Sequence, residues 1–332
     1  SYTSLRVEVL ADNVGEISSY VGQPGIGLAE VRIPGVSDDR VVRVPSLDAF
    51  GVGDTDALGD QRTSWLFTRQ RLVPATSNQF DAEPFLVRSF EVPDARSFDI
   101  AAEARLATDA SEELLLDVLD DPADVVADRR IRGNPDARGA SAFDGDPTTA
   151  WTTPFDGAVG ATLTIGPPAP VDVDTVTVTW LDDGQHSPPS ELAVTADDGR
   201  VRTLDVPAVP AVDGMASATF DLPGYASSRS VVTVESVDER TTPEYFSGVP
   251  QVLPAGIVEV QFGDDPNPAF DRGATLDDRC RDDVLELDGA PVPVRLLGTR
   301  DDALTRMELT VQACRPAELQ AGSHRLDATP GD

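Results

Sequence analysis

Alternating segments rich in valine and threonine constrain the fold of this chain more than any other feature of its sequence. They include VTVTW (176–180), ELAVTA (191–196), SVVTVESV (230–237) and GIVEVQF (256–262). Side chains that alternate with a period of two give a strand one apolar face for a core and one polar face for water. Clusters of Gly, Pro and Asp separate these segments, as in antiparallel sandwiches. The pattern predicts an all-β fold built from β-sandwich modules.

One segment departs from this pattern and predicts a short connecting helix. SEELLLDVL (111–119) has Asp109 and Ser111 as candidate N-caps, an acidic first turn and Pro122 beyond its end. We assign no chemistry to it.

An internal repeat predicts how the modules are arranged. GLAEV (27–31) aligns with GIVEV (256–260), and a second strand-like segment precedes each copy. We therefore interpret residues 1–36 as the last two strands of a truncated module whose complete copy spans 111–263. The remaining segments, 37–110 and 264–332, are each too poor in strands to close alone, so we predict that together they form one discontinuous β-sandwich. The truncated copy also suggests that the chain is part of a longer protein.

The charge of the chain excludes some partners. The formal net charge is −32, and no lysine occurs in the sequence. A field this negative does not favour binding to nucleic acid or to anionic lipid. No apolar run approaches the eighteen residues of a membrane span, and residue 1 begins no signal peptide. We expect an exported region whose export or anchoring element lies elsewhere.

The two cysteines, Cys280 and Cys314, both lie near the end of the chain. Two cysteines without a nearby histidine are too few for a zinc site. They form either a disulfide or two buried free thiols. We predict the disulfide, which places the chain outside the cytoplasm.

The stretch AFDGDPTTAW (142–151) concentrates oxygen ligands in one turn. Asx side chains, a glycine and a proline predict the turn itself. Asp144, Asp146 and Thr149, with the carbonyls between them, offer hard oxygen ligands to a calcium ion. The alternative is a solvated turn followed by a core tryptophan, Trp151.

Two further residues are candidates for carbohydrate contact. His186 lies in the loop LDDGQHSPPS, and loops often carry binding function. Trp65 lies in a polar segment and is either a sugar-stacking platform or a core residue. Trp151 and Trp180 are expected in the core, and His324 is expected to be structural. No sequence motif indicates a nucleophile, a metalloprotease or a phosphate loop, so no catalytic residue is assigned.

Residues 125–263 resemble the coagulation-factor-5/8 type C, or discoidin, module. The resemblance rests on the turn AFDGDPTTAW, the strand VDTVTVTW, the edge strand ELAVTADDG and the closing strand GIVEV with Glu259. It implies a jelly-roll sandwich that binds carbohydrate. It also implies one structural calcium ion at the turn, with ligands from the Phe143 carbonyl, Asp144, Asp146, Thr149 and Glu259. The truncated copy lacks this turn, so no ion is predicted beside Glu30.

The order of the segments resembles the extracytoplasmic region of actinobacterial α-(1→3)-arabinofuranosyltransferases. The succession runs from GLAEVRIPGV through WLFTRQ, RSFEVPDARSF and the module to DGAPVPVRLLGT and LQAGSHRL. It implies a non-catalytic region that binds or scaffolds cell-wall polysaccharide such as arabinan. Its parent would be a glycosyltransferase, and contact with the membrane would run only through missing parts of that parent. The alternatives are an accessory region of a secreted glycosidase and a structural adhesion module.

Overall fold

The computed structural model describes residues 42–43, 63–69, 86–121, 124–167, 169–245 and 247–328. The predicted truncated module, residues 1–36 with Glu30, lies outside these ranges. Within them, no helix is long and apolar enough to cross a membrane.

The described chain is nearly all β, which confirms the predicted fold class. Four strands and a helix come first: β1 (Val42–Arg43), β2 (Leu86–Val92), β3 (Arg96–Phe98), β4 (Ala101–Ala104) and α1 (Glu112–Leu119). Eleven strands follow: β5 (Asp124–Ala127), β6 (Trp151–Thr152), β7 (Thr162–Gly166), β8 (Val171–Leu181), β9 (Pro189–Thr195), β10 (Val201–Asp205), β11 (Met215–Ser227), β12 (Ser230–Val237), β13 (Thr241–Pro243), β14 (Pro250–Val252) and β15 (Gly256–Phe262). The last elements are β16 (Glu286–Leu287), β17 (Ala290–Pro291), β18 (Val294–Leu297), α2 (Arg300–Leu304), β19 (Leu309–Ala313), β20 (Ala317–Leu319) and β21 (Gly322–Ala328).

The middle strands form a two-sheet sandwich, which we call the module. One sheet has the order β10-β9-β12-β7-β5 and the other β11-β8-β15-β6. Their inner faces enclose a core in which Trp151 is 0% and Trp180 2% exposed, as expected from the sequence. The Trp151 indole Nε1 also donates to the Arg129 carbonyl at 3.0 Å, so its polar atom is satisfied inside the core.

A second core combines chain segments from both sides of the module. Strand β2 pairs along its whole length with β21, β4 pairs with β19, and β3 pairs with β20. Each pair joins a segment before the module to one after it, and their apolar side chains form one buried cluster. We call this unit the second core. The domain boundaries drawn from the sequence stay a prediction.

The predicted helix is present, but its apolar face lies in the second core. Ser111 caps α1 by accepting a hydrogen bond from the Leu114 amide. Leu115, Val118 and Leu119 are buried in the second core. The domain boundary predicted at residue 111 groups this helix with the module. Helix propensity alone does not show which core a helix face covers.

The cysteines Cys280 and Cys314 form the predicted disulfide. It joins the loop before β16 to the end of β19 within the second core.

Candidate functional site

The Asp-rich turn lies against the edge of the module. Asp144 is buried, with 4% of its surface exposed, and it accepts hydrogen bonds from the Asp146 amide and from the Thr149 hydroxyl, each at 3.0 Å. Thr149 Oγ1 also lies 3.0 Å from the Asp146 carbonyl and 3.3 Å from that of Ser141. Gly145 has a φ of +66°, a conformation that favours glycine. The turn therefore gathers oxygen atoms from several residues around one hydroxyl.

Strand β15 brings Glu259 to this turn from more than a hundred residues away. The Glu259 carboxylate accepts hydrogen bonds from the Asn267 amide and from the Gly145 backbone N–H. Burial raises its pKa to about 7, and the negative charges of Asp144 and Asp146 contribute to this rise. Burial also raises the pKa of Asp144 to about 6. The structure thus brings together Asp144, Asp146, Thr149 and Glu259.

The arrangement fits a hard cation in its chemistry, because its ligands would all be oxygen atoms. Phe143 itself is buried in the module core, so only its carbonyl is available for such a role. Among the described residues, no group of three or more His, Cys, Asp and Glu side chains is placed to hold a metal ion. A calcium site here would therefore need the Thr149 hydroxyl and backbone carbonyls in addition to the carboxylates.

A second polar cluster lies at the end of the module where β8 and β12 finish. His186 Nδ1 lies 3.0 Å from Asp183 Oδ1 in the loop that follows β8. Arg240, in the loop after β12, donates to the His186 carbonyl at 3.1 Å and to Asp182 at 2.5 Å. Partial burial alone would raise the pKa of Asp183, but the hydrogen bonds from His186 and from the Gln185 amide together outweigh it, so the pKa is lowered. Asp183 is therefore an ionised acceptor at neutral pH.

Two exposed aromatic side chains occur at the same end. Tyr245 lies near the tip of the β13–β14 hairpin and is 89% exposed, and Phe155 in the loop after β6 is 40% exposed. The loops are tied together: the Asp156 amide donates to the Val252 carbonyl at 3.0 Å, and the Leu253 amide donates to the Arg240 carbonyl at 2.7 Å. We call this set of loops, with His186, Arg240, Tyr245 and Phe155, the loop end.

Three of these four residues were missed in the sequence analysis. Arg240 resembles any other surface arginine in the sequence, and its partners are more than fifty residues away. Tyr245 did have a signal, because an aromatic residue within the polar segment TTPEYFSGVP has no alternation that would place it in a core.

The structure places Trp65, the other candidate for carbohydrate contact, and His324, which was expected to be structural, in packing positions. Trp65 is half-buried beside Phe90 and Phe98, with ring centroids 5.7 and 5.4 Å apart. These contacts favour the core alternative, and its sugar-stacking role stays a prediction. His324 bonds Asp288 at 2.7 Å and the Gln320 carbonyl at 2.8 Å, as a structural histidine would.

Residues 123–272 match the family described as "Arabinofuranosyltransferase D, third carbohydrate binding module". The module is therefore similar to this carbohydrate-binding family. The match confirms the predicted resemblance to the arabinofuranosyltransferases and to carbohydrate-binding modules.

Solved structures give the same fold over more of the chain. The cryo-EM structure of arabinofuranosyltransferase AftD from Mycobacteria is 22% identical, covers 80% of this chain and 21% of its own, and has a TM-score of 0.55. A mutant form of that protein gives the same identity and coverage, with a TM-score of 0.53. This chain therefore spans about a fifth of the length of these two structures. The search among curated proteins found no match.

Proposed function

We propose that this chain is a non-catalytic carbohydrate-binding and scaffolding region of a membrane-bound arabinofuranosyltransferase. It would lie on the extracytoplasmic side and hold cell-wall arabinan. The family of the module supports carbohydrate binding, and the disulfide supports an oxidising compartment.

The loop end is the observation that carries this proposal. Arabinan is a neutral polymer, so its recognition requires hydrogen bonds to hydroxyl groups and apolar contact with ring C–H groups. Asp183 accepts, while the imidazole of His186 and the guanidinium of Arg240 supply donors. Arg240 is already paired with Asp182, so the cluster offers polar atoms without a large unpaired charge. Tyr245 and Phe155 add exposed aromatic faces beside it.

Glycan titration of the whole chain tests this function. We expect arabinan oligosaccharides to bind, and we expect Tyr245→Ala and Phe155→Ala each to weaken binding about tenfold, about 1.4 kcal/mol. The matched control is Val201→Ala, an exposed apolar residue at the start of β10, at the opposite end of the module. Equal loss in the control, or binding that neither aromatic variant affects, would exclude the loop end. Preference for a glycan other than arabinan would favour the glycosidase-accessory or adhesion alternative.

We further propose that the turn holds a structural calcium ion. Asp144, Asp146, Thr149 and Glu259 would supply side-chain oxygens, and the Phe143 carbonyl would complete the set. Support comes from the buried Asp144 and the partly buried Glu259, because the charge of Asp144 disfavours the ionised form of Glu259 unless a cation lies between them. The ion would tie the first loop of the module to its closing strand and add no reactive chemistry.

A further inference from the structure

A cleft between the module and the second core is lined by neither the residues of the loop end nor the carboxylates of the Asp-rich turn. Its volume is about 330 Å³. Residues 133–136 line it from the module side, and Arg105 with residues 304–306 line it from the second core. Both units therefore contribute to one concave surface, a common location for a ligand site.

Arg306 is held at this cleft by its backbone and by one side-chain nitrogen. Its φ is +57°, which is uncommon for a residue other than glycine. Its Nε donates to the Leu106 carbonyl at 3.1 Å, and its amide donates to the Ala303 carbonyl at 3.0 Å. Within the described residues, no ion pair engages its guanidinium. The two terminal nitrogens of Arg306 therefore remain available as a forked donor.

The other polar groups of the cleft also leave an excess of donors. The Asp136 carboxylate is occupied, because Arg272 binds its two oxygens at 2.6 and 3.2 Å. The Asn134 side-chain oxygen Oδ1 accepts from the Asp136 backbone amide at 3.1 Å, which leaves the side-chain NH₂ group of Asn134 as a donor. Arg105 adds a second guanidinium, paired with Glu308 outside the lining. In a chain of net charge −32, a concave site lined by two arginines and by one carboxylate that is already paired departs from the acidic character of the chain.

We infer that this cleft is a second ligand site, and that it binds a saccharide bearing a carboxylate or phosphate group, with the anion on Arg306. A guanidinium recognises either anion through two parallel hydrogen bonds. The cleft is larger than a single anion requires, which leaves space beside Arg306 for a sugar ring. That the ligand is a saccharide rests on the proposed function of the chain, whereas binding of an anion does not.

Binding to the whole chain at low salt tests this inference. The probes are glucuronate, glucose 1-phosphate, inorganic phosphate and neutral glucose, followed by calorimetry or NMR shifts. We expect one or both anionic sugars to bind, glucose not to bind, and Arg306→Gln to weaken binding about tenfold or more. Arg306→Gly is the second variant, because glycine adopts the observed φ freely and preserves the fold while it removes the side chain. The matched control is Arg295→Gln, which removes the same charge from an exposed position on strand β18.

The outcomes separate the parts of the inference. Binding that persists in both Arg306 variants, or that Arg295→Gln weakens equally, would overturn the site. Binding of inorganic phosphate without binding of either anionic sugar would overturn the inference that the ligand is a saccharide. Tyr245→Ala at the loop end is expected to leave binding at the cleft unchanged, so failure of the arabinan experiment and failure of this one are distinguishable.

Discussion

The module and the second core are both β structures, but they are closed in different ways. In the module, β8 has 11 residues and β11 has 13, and two sheets of five and four strands enclose one continuous core. In the second core the strands have two to seven residues and belong to three small sheets. A disulfide, a helix face and charged pairs such as Arg281–Asp117 cross-link the segments around those sheets. Long sheets thus stabilise the first unit, and cross-links between short segments stabilise the second.

This difference predicts that side-chain cross-links matter most to the second core. Removing the disulfide with Cys280→Ser and Cys314→Ser would free a loop of 34 residues and reduce the free energy of unfolding by about 4 kcal/mol. In scanning calorimetry we expect the transition of the second core to fall by about 15–20 °C, while that of the module stays unchanged. A parallel fall of both transitions would show that the two units unfold together and that the comparison is wrong.

The next largest effect is expected at the joint between the two units. Glu112 on α1 accepts a hydrogen bond from the Gly139 amide at 2.8 Å and pairs with Arg130 at 2.8 Å. Burial raises the Glu112 pKa, and the two side chains are only 9% and 7% exposed. Glu112→Gln removes one charge of a buried pair and should destabilise the protein by about 3 kcal/mol.

Glu113→Gln is the matched control for that variant. It lies one position further along the same helix turn, is exposed, and has no charge partner among the described residues, so its effect should stay within about 0.5 kcal/mol by urea unfolding. Equal effects from the two variants would show that the Glu112–Arg130 pair does not join the units.

The burial of Glu112 could not be predicted from the sequence. In the sequence it is an acidic residue in the first turn of a helix, which normally lies in solvent beside the helix dipole. In the structure it is buried, because the module packs over that turn. The strands and the Asp-rich turn were predictable, since alternation and Asx-turn chemistry are local. The contacts of Glu112, Arg240 and Asn267 depend on how distant segments meet, and no local pattern encodes them.

The Asp-rich turn was predictable from the sequence only in part. Its shape was readable from AFDGDPTTAW, and Glu259 was placed beside it only through the family resemblance. The contact that neither route predicted is with the segment after β15: the Phe270 amide donates to the Asp144 carbonyl at 3.1 Å, and Asn267 bonds Glu259. The turn therefore also touches the segment that leads into the second core.

Calcium should stabilise the module by about 2–3 kcal/mol at a concentration a hundredfold above its Kd, an increase of about 5–10 °C in its Tm. Calorimetry with calcium and with a chelator measures this. Glu259→Gln and Asp144→Asn should abolish the increase, and Asp172→Asn, an exposed acid on β8, should not. If the Tm of the wild-type module is the same with calcium and with the chelator, AFDGDPTTAW is only a turn and holds no calcium ion.

The same carboxylates predict a pH dependence in the absence of calcium. Raised pKa values of about 6 for Asp144 and about 7 for Glu259 mean that the folded state holds protons that the unfolded state has released. Their contribution to stability is complete below pH ~4 and is lost as pH rises to ~7. Wild type should therefore lose stability relative to Glu259→Gln over this range in the chelator, and calcium should reduce the difference. Parallel pH profiles would contradict the raised pKa of Glu259.

The smallest expected effect concerns Arg272, which bridges the units at their surface. It pairs with Asp136 of the module at 2.6 Å and with Asp301 at the start of α2 at 2.8 Å. Its side chain is 28% exposed and that of Asp301 is 52% exposed, so water screens the second pair more than the first. A double-mutant cycle between Arg272→Met and Asp136→Asn should give a coupling energy of about 1 kcal/mol, and a cycle with Asp301→Asn about 0.3 kcal/mol. Raising the salt concentration should reduce the Asp301 coupling first, because the more exposed pair is screened more strongly. Equal couplings would mean that solvent exposure does not rank these contacts, and the joint would then depend on buried pairs such as Glu112–Arg130 alone.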